Sequence, residues 1–289
     1  MKQDKKKAAL LMITAAFCYA LVAAIVKSID GIPVFEKLFF RTAFGTVFIV
    51  AVVAKNRIPW KGNNRIGLVA RGVTGFFAAV LYYLALTEAP IADTVTITNT
   101  YPFLVLLLSA FFLKERIRSY HLVALALSFA GALLIIRPGF DDLNPYHLVA
   151  LGGSVFLAIT YTILKHVRET DSAEVLILYY SGISTLLCIP LMLLRNFVMP
   201  DPIQFLKLLA LGITGSLYQW FLSTAYRYAP AGEVSIYSYT SIAFSSVFGM
   251  VLWGEYPVFA SALGMLSIAA GAFLIFQRDK TNRDQNVEI

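Results

Sequence analysis

Apolar runs separated by short polar connections dominate the chain, lying near residues 8–26, 33–54, 66–86, 90–113, 119–136, 146–164, 174–194, 204–226, 230–252 and 257–276. Each approaches the ~20 residues that a helix needs to cross the hydrocarbon core. The runs are continuous rather than alternating, which predicts helices and not barrel strands. The expected fold is therefore an all-α membrane protein of ten transmembrane helices.

The pattern repeats. Ala89-Pro90-Ile91-Ala92-Asp93 opens a run that is interrupted by Asn99-Thr100-Tyr101-Pro102 and closes on Leu113-Lys114-Glu115-Arg116. A shift of 140 positions brings Ala229-Pro230-Ala231-Gly232-Glu233, a second apolar run and Trp253-Gly254-Glu255, with Thr100 falling on Thr240 and Glu115 on Glu255. Gly72 and Gly75 fall on Gly212 and Gly215, and Gly131 on Gly271. Five spans per copy is an odd number, so the second copy enters the membrane upside down. This predicts two inverted five-helix repeats, residues 1–142 and 143–289, around a central cavity.

Composition agrees: 58% of the 289 residues are hydrophobic and 14% charged, too apolar for a soluble globule. Of the 24 Lys and Arg residues, seventeen fall in the tails and connections on the side of the N-terminus and four in the connections opposite. That bias predicts both termini in the cytoplasm, in a multi-pass protein of the cytoplasmic (inner) membrane. It also accounts for the net charge of +7 through the lipid bilayer, with no nucleic acid partner. Lys2, Lys5, Lys6 and Lys7 precede a first span too long for a cleaved leader, so it is read as an uncleaved helix. Cys18 and Cys188 lie mid-span and are read as packing residues.

Lys37, Arg41 and Arg71 are the cations that fall within spans. Glu36 and Lys37 can snorkel to the outer interface, and Arg71 to the cytoplasmic one. Arg41 lies roughly 12 Å into its span at 1.5 Å per residue, and needs either a structural partner such as Glu36 or a ligand. Gln219 sits mid-membrane and can bond a neighbouring helix or a substrate. Asp93 and Glu233 fall in first helical turns, as caps or as coupling sites. Thr96, Asn99 and Thr100 share a face with Asp93, and Pro102 predicts a kink. The hydroxyls of Ser235, Tyr237, Ser238, Tyr239, Thr240 and Ser241 predict an inward face. His121, His147 and His166 fall at span ends with no ligand spacing, so no metal site is expected, and no cofactor motif or nucleophile elbow suggests an enzyme.

The doubled block from Ala89-Pro90 to Glu115 and from Ala229-Pro230 to Glu255 resembles the EamA-type members of the drug/metabolite transporter superfamily, over nearly the whole chain. That resemblance implies a polytopic carrier of small metabolites, often amino acids or related compounds, with a central cavity lined by both repeats. The expected function is a secondary transporter working by alternating access on a small-molecule solute, an amino acid or related zwitterion or organic ion. The alternative is a membrane assembly or lipid-modifying factor that transports nothing, for which the short loops offer little docking surface. The expected substrate contacts are Arg41, Tyr82, Tyr83, Asn99, Thr100 and Tyr101 in the first half. In the second they are Gln219, Trp220, Tyr237, Tyr239 and Thr240, with Tyr218 beside them.

Overall fold

The computed structural model describes residues 5–101, 103–105, 107–108, 119–136, 144–167, 170–194, 197–228 and 235–287. Among these residues there is no strand. The helices are α1 (Lys5–Ser28), α2 (Val34–Lys55), α3 (Arg65–Glu88), α4 (Ile91–Thr98), α5 (Ser119–Ile136), α6 (Pro145–Val167), α7 (Ala173–Leu194), α8 (Pro202–Tyr228), α9 (Thr240–Trp253) and α10 (Phe259–Val287). A 3-10 segment, Ser235–Tyr239, leads into α9. Six of these helices, α1, α2, α3, α6, α7 and α8, contain stretches long and apolar enough to cross a membrane, and the chain is a multi-pass membrane protein. Their outward faces carry side chains such as Val47, Leu186 and Leu194, exposed by 67% or more, where lipid rather than water is the natural solvent.

Local chemistry sets the helix ends. Pro33 and Pro90 precede α2 and α4, where a missing amide hydrogen costs nothing, and Glu36 and Asp93 follow in the first turns. The side chain of Asn64 accepts from the Gly67 amide and caps α3. Gly254, at φ +65°, ends α9 in the left-handed conformation. The Gly254 amide then bonds the Met250 carbonyl and the Glu255 amide the Gly249 carbonyl, a Schellman closure that fixes the direction in which Glu255 leaves the helix.

Each major packing pair joins a helix from before residue 143 to one after it: α1 with α8, α3 with α6, α2 with α7, α4 with α9, and α5 with α10. Glycine permits the closest approaches. A Cβ on Gly131 would lie 2.7 Å from the Gly264 carbonyl oxygen and one on Gly264 2.6 Å from that of Gly131, so α5 and α10 cross backbone to backbone. The small face of α3 also packs as expected, with Gly72 against Ile183 and Gly75 against the ring of Tyr180.

Three sequence expectations are corrected. Glu36 and Lys37 do not snorkel; they are 2% and 3% exposed. The segment after α7 and the end of α1 cover them, so Glu36 accepts from the Val198 amide at 2.9 Å and Lys37 donates to the Val26 carbonyl at 3.1 Å. Arg71 does not snorkel either. It is 7% exposed and donates to the Leu176 carbonyl at 2.6 Å, because α7 lies across its route to the surface. His147, at the start of α6, has Nε2 at 3.7 Å from Asp93 Oδ2. Cys18 and Cys188 are free and buried.

Candidate solute-binding site

The helical path is interrupted both after α4 and before α9, two helices that pack on each other. A proline at 102 offers no donor to the Thr98 carbonyl, and α4 ends at Thr98. Asn99 braces the break: its amide and its Nδ2 both donate to the Val95 carbonyl, at 3.0 and 2.7 Å, and Nδ2 also donates to Ser241 Oγ on α9 at 3.4 Å. Thr100 donates to the Ile97 carbonyl at 2.7 Å and to Ser154 on α6 at 3.2 Å. On the other side the 3-10 segment plays the corresponding part without a proline, with Thr240 donating back to the Tyr237 carbonyl at 2.6 Å. Pro102 itself, Glu115 and Glu233 lie outside the described residues.

Beside these breaks is a partly open cavity with walls from both halves of the chain. Of the residues expected from sequence, Arg41, Tyr82, Asn99, Tyr101 and Gln219 line it. The others do not. Tyr83 is fully buried in the main core, next to Arg41 but behind the wall. Thr100 spends its hydroxyl on the helix break. Trp220 turns away, 42% exposed, to pack edge-on against Phe48 at 6.1 Å. Tyr237 packs on Leu222 and its neighbours, Tyr239 sits between two apolar clusters, and Thr240 closes the 3-10 segment. Asp93 is buried at the far end of α4 with His147 and Ser261, apart from the cavity lining.

Sequence reasoning missed Tyr19, Arg71, Tyr161 and Tyr180, all of which face the cavity. The signal was present, since each is a tyrosine or cation inside an apolar run, the same feature that singled out Tyr82 and Arg41. The phenols form a stacked lining: Tyr19 lies parallel to Tyr82 with centroids 5.3 Å apart, Tyr101 stacks on Tyr161 at 4.9 Å, and Tyr218 tilts against Tyr19 at 5.2 Å.

The charge of this cavity is one-sided. Arg41 and Arg71 contribute two guanidinium groups to its wall and no carboxylate lines it, among the described residues. Arg41 donates to the Tyr180 hydroxyl at 3.5 Å and lies 5.7 Å from the centroid of Tyr83. Arg71 lies 5.5 Å over the ring of Tyr180, and its Nε is buried without a hydrogen-bond partner. An arginine so far into a span costs at least ~3 kcal/mol when it lacks a partner, so two of them mark a polar, ligand-facing surface. The cavity can therefore hold an anionic group and stack an organic body on its rings.

A different junction closes one end of the molecule. Glu255, aimed by Gly254, accepts from the Ile91 amide at 2.9 Å and pairs with Lys27. Lys27 also donates to the Ala89 carbonyl at 2.7 Å, so one ion pair ties the end of α1, the start of α4 and the end of α9.

The comparisons fit this picture. The chain is 30% identical over 273 residues to the pseudopaline exporter CntI of Pseudomonas aeruginosa, covering 93% of this chain and 94% of that one. It is 24% identical to the S-adenosylmethionine uptake transporter of Rickettsia prowazekii, over 91% of this chain and 93% of that one. A solved crystal structure, 21% identical, shares the fold with a TM-score of 0.69 over 94% of this chain and 96% of its own. The model of the EamA-like transporter family matches twice, at residues 6–137 and 144–277, and the chain belongs to that family.

Proposed function

We propose that the protein is a secondary carrier, built from two inverted five-helix units at residues 1–142 and 143–289, that moves a small carboxylate-bearing metabolite across the cytoplasmic membrane by alternating access. The observation that carries this reading is the cavity between the two halves, with two guanidinium groups and no carboxylate on its described wall. Packing of each helix on one from the other half supports the inverted arrangement, since rigid bodies related in this way can rock about a site held between them. Relatives named for export of pseudopaline and for uptake of S-adenosylmethionine support transport of a small molecule and leave the direction open.

In this reading Arg41 receives a carboxylate as a charge-assisted hydrogen bond, Asn99 and Gln219 orient the polar part, and Tyr82 and Tyr101 contact the organic body. Amino acids and similar zwitterions suit that set. Asp93 and Glu233 remain candidate coupling residues; because Asp93 does not line the cavity, exchange or facilitated diffusion is the favoured mode. Opening the end held by Glu255 requires that Lys27 be parted from it, so this ion pair belongs to the closed form of that end. The test has two parts. A thermal-shift screen of the purified protein against a metabolite library is expected to identify a carboxylate-bearing ligand. Uptake of that ligand into proteoliposomes is expected to vanish in Arg41→Ala while the variant stays monodisperse. Undiminished uptake by this variant would remove Arg41 from the site.

A further inference from the structure

We infer that the cavity takes a solute with two separate anionic groups, one at Arg41 and one at Arg71, so that dicarboxylates form its substrate class. This rests on the carrier reading above and sharpens it, because a zwitterionic amino acid uses one guanidinium and leaves the other uncompensated.

The two cations come from different heights. Arg41 is in the first half of α2 and Arg71 near the start of α3, and the two helices run in opposite directions through the same slab. Counting back from the connection between them, the backbones of the two arginines are offset by roughly 12 Å at 1.5 Å per residue. Tyr180 on α7 contacts both charged ends. Its hydroxyl accepts from Arg41 at 3.5 Å, while Arg71 lies over its ring at 5.5 Å from the centroid. The ring can sit there because position 75 has no side chain; a Cβ on Gly75 would come within 2.9 Å of it. A glycine also seats Arg41, since a Cβ on Gly215 would lie 2.7 Å from its Nε. Each guanidinium is thus positioned by its own contacts, Arg41 at the hydroxyl of Tyr180 and Arg71 over its ring.

Neither charge is neutralised by a carboxylate on the described wall. Arg71 spends one amine on the Leu176 carbonyl and keeps Nε buried without a hydrogen-bond partner, and Arg41 has the 3.5 Å contact to Tyr180. At 9% and 7% exposure, water reaches Arg41 and Arg71 poorly. The missing countercharge is therefore double, and the roughly 12 Å offset between the two arginine backbones favours one anionic group at each over a single compact anion shared by both. An organic chain with a carboxylate at each end supplies them, its body lying against the tyrosines.

The test pairs truncation of the ligand with truncation of the protein. Thermal unfolding of the purified full-length chain is measured with the α,ω-dicarboxylates from succinate to suberate, with the half-amide of each, and with inorganic phosphate. At least one diacid is expected to bind tenfold or more tightly than its half-amide. Arg71→Gln and Arg41→Gln are each expected to abolish that preference, and Arg71→Lys to retain part of it. Equal stabilisation by a diacid and its half-amide overturns the proposal while leaving the carrier reading standing, as does phosphate acting as well as the best diacid. No stabilisation by any diacid also overturns it. A diacid that binds with the expected preference but gives no counterflow in proteoliposomes would sink the carrier reading and keep the two-anion site.

Discussion

At the end of α1 Lys27 meets Glu255, Lys37 donates to the Val26 carbonyl and Lys207 to the Ser28 carbonyl at 2.6 Å, whereas in the cavity Arg41 and Arg71 meet phenols and one backbone carbonyl. Both places withdraw cations from water. At the first, Lys37 and Lys207 bond carbonyls at the negative end of a helix dipole and Lys27 has a carboxylate, so the protein itself completes the charge balance. At the second it does not. A fold that spends acids and carbonyls on three lysines and withholds carboxylates from two arginines separates what holds the helices from what receives the solute.

Substitution at the cavity is expected to have the largest effect. Arg41→Gln should lower transport roughly a hundredfold, because losing one partner of a desolvated charge pair costs about 2–5 kcal/mol. Thermal unfolding of the same variant should be unchanged or raised, since a poorly compensated buried charge has been removed. Second comes the α1 junction, where the order reverses. Lys27→Met leaves Glu255 without its cation and should cost about 2 kcal/mol of stability, less than a fully buried pair because both side chains retain some exposure. Adding Glu255→Gln should recover much of that loss, which thermal unfolding of the single and double variants in detergent measures.

Smaller effects test the edges of the two regions. Trp220→Ala should change solute affinity less than twofold in a binding titration, because Trp220 faces Phe48 outside the main cavity. Asp171, in the connection between α6 and α7, loses hydration, which raises its pKa, but hydrogen bonds from the Asn64 and Asn63 amides and the Thr170 hydroxyl outweigh this and hold the carboxyl below its ordinary range. A depressed folded pKa contributes stability that is present above about pH 4 and is lost as pH falls through the folded value. Asp171→Asn should flatten that acid limb of the unfolding temperature while leaving the neutral value lower.

The helical membrane class and family membership were legible in the sequence, because length and apolarity of a run are local properties. The small face at Gly72 and Gly75 was equally plain. What the sequence misassigned depended on a neighbour in another helix. Arg71 reads as an interfacial anchor until α7 is laid over it, and Lys37 reads as snorkelling until the end of α1 supplies a carbonyl. On the cavity wall, Arg41, Tyr82 and Asn99 were singled out because polarity inside an apolar span is costly. Tyr19, Tyr161 and Tyr180 met the same criterion and were passed over, although Tyr161 lies between Thr160 and Thr162 and Tyr180 beside Tyr179. Tyr83 and Trp220 erred in the other direction: presence on a polar helix does not say which way a ring points.

The electrostatics of the cavity can be measured before any solute is known. With Cys18 and Cys188 replaced by serine, Ala79→Cys places a single thiol on the cavity wall. Its labelling rate is then compared for methanethiosulfonates of similar size, one bearing an ethylsulfonate and one an ethyltrimethylammonium group. The anionic reagent should react severalfold faster, and adding Arg41→Gln with Arg71→Gln should reverse the order. Faster reaction of the cationic reagent with both arginines in place would contradict an anion-binding cavity and the carrier function built on it.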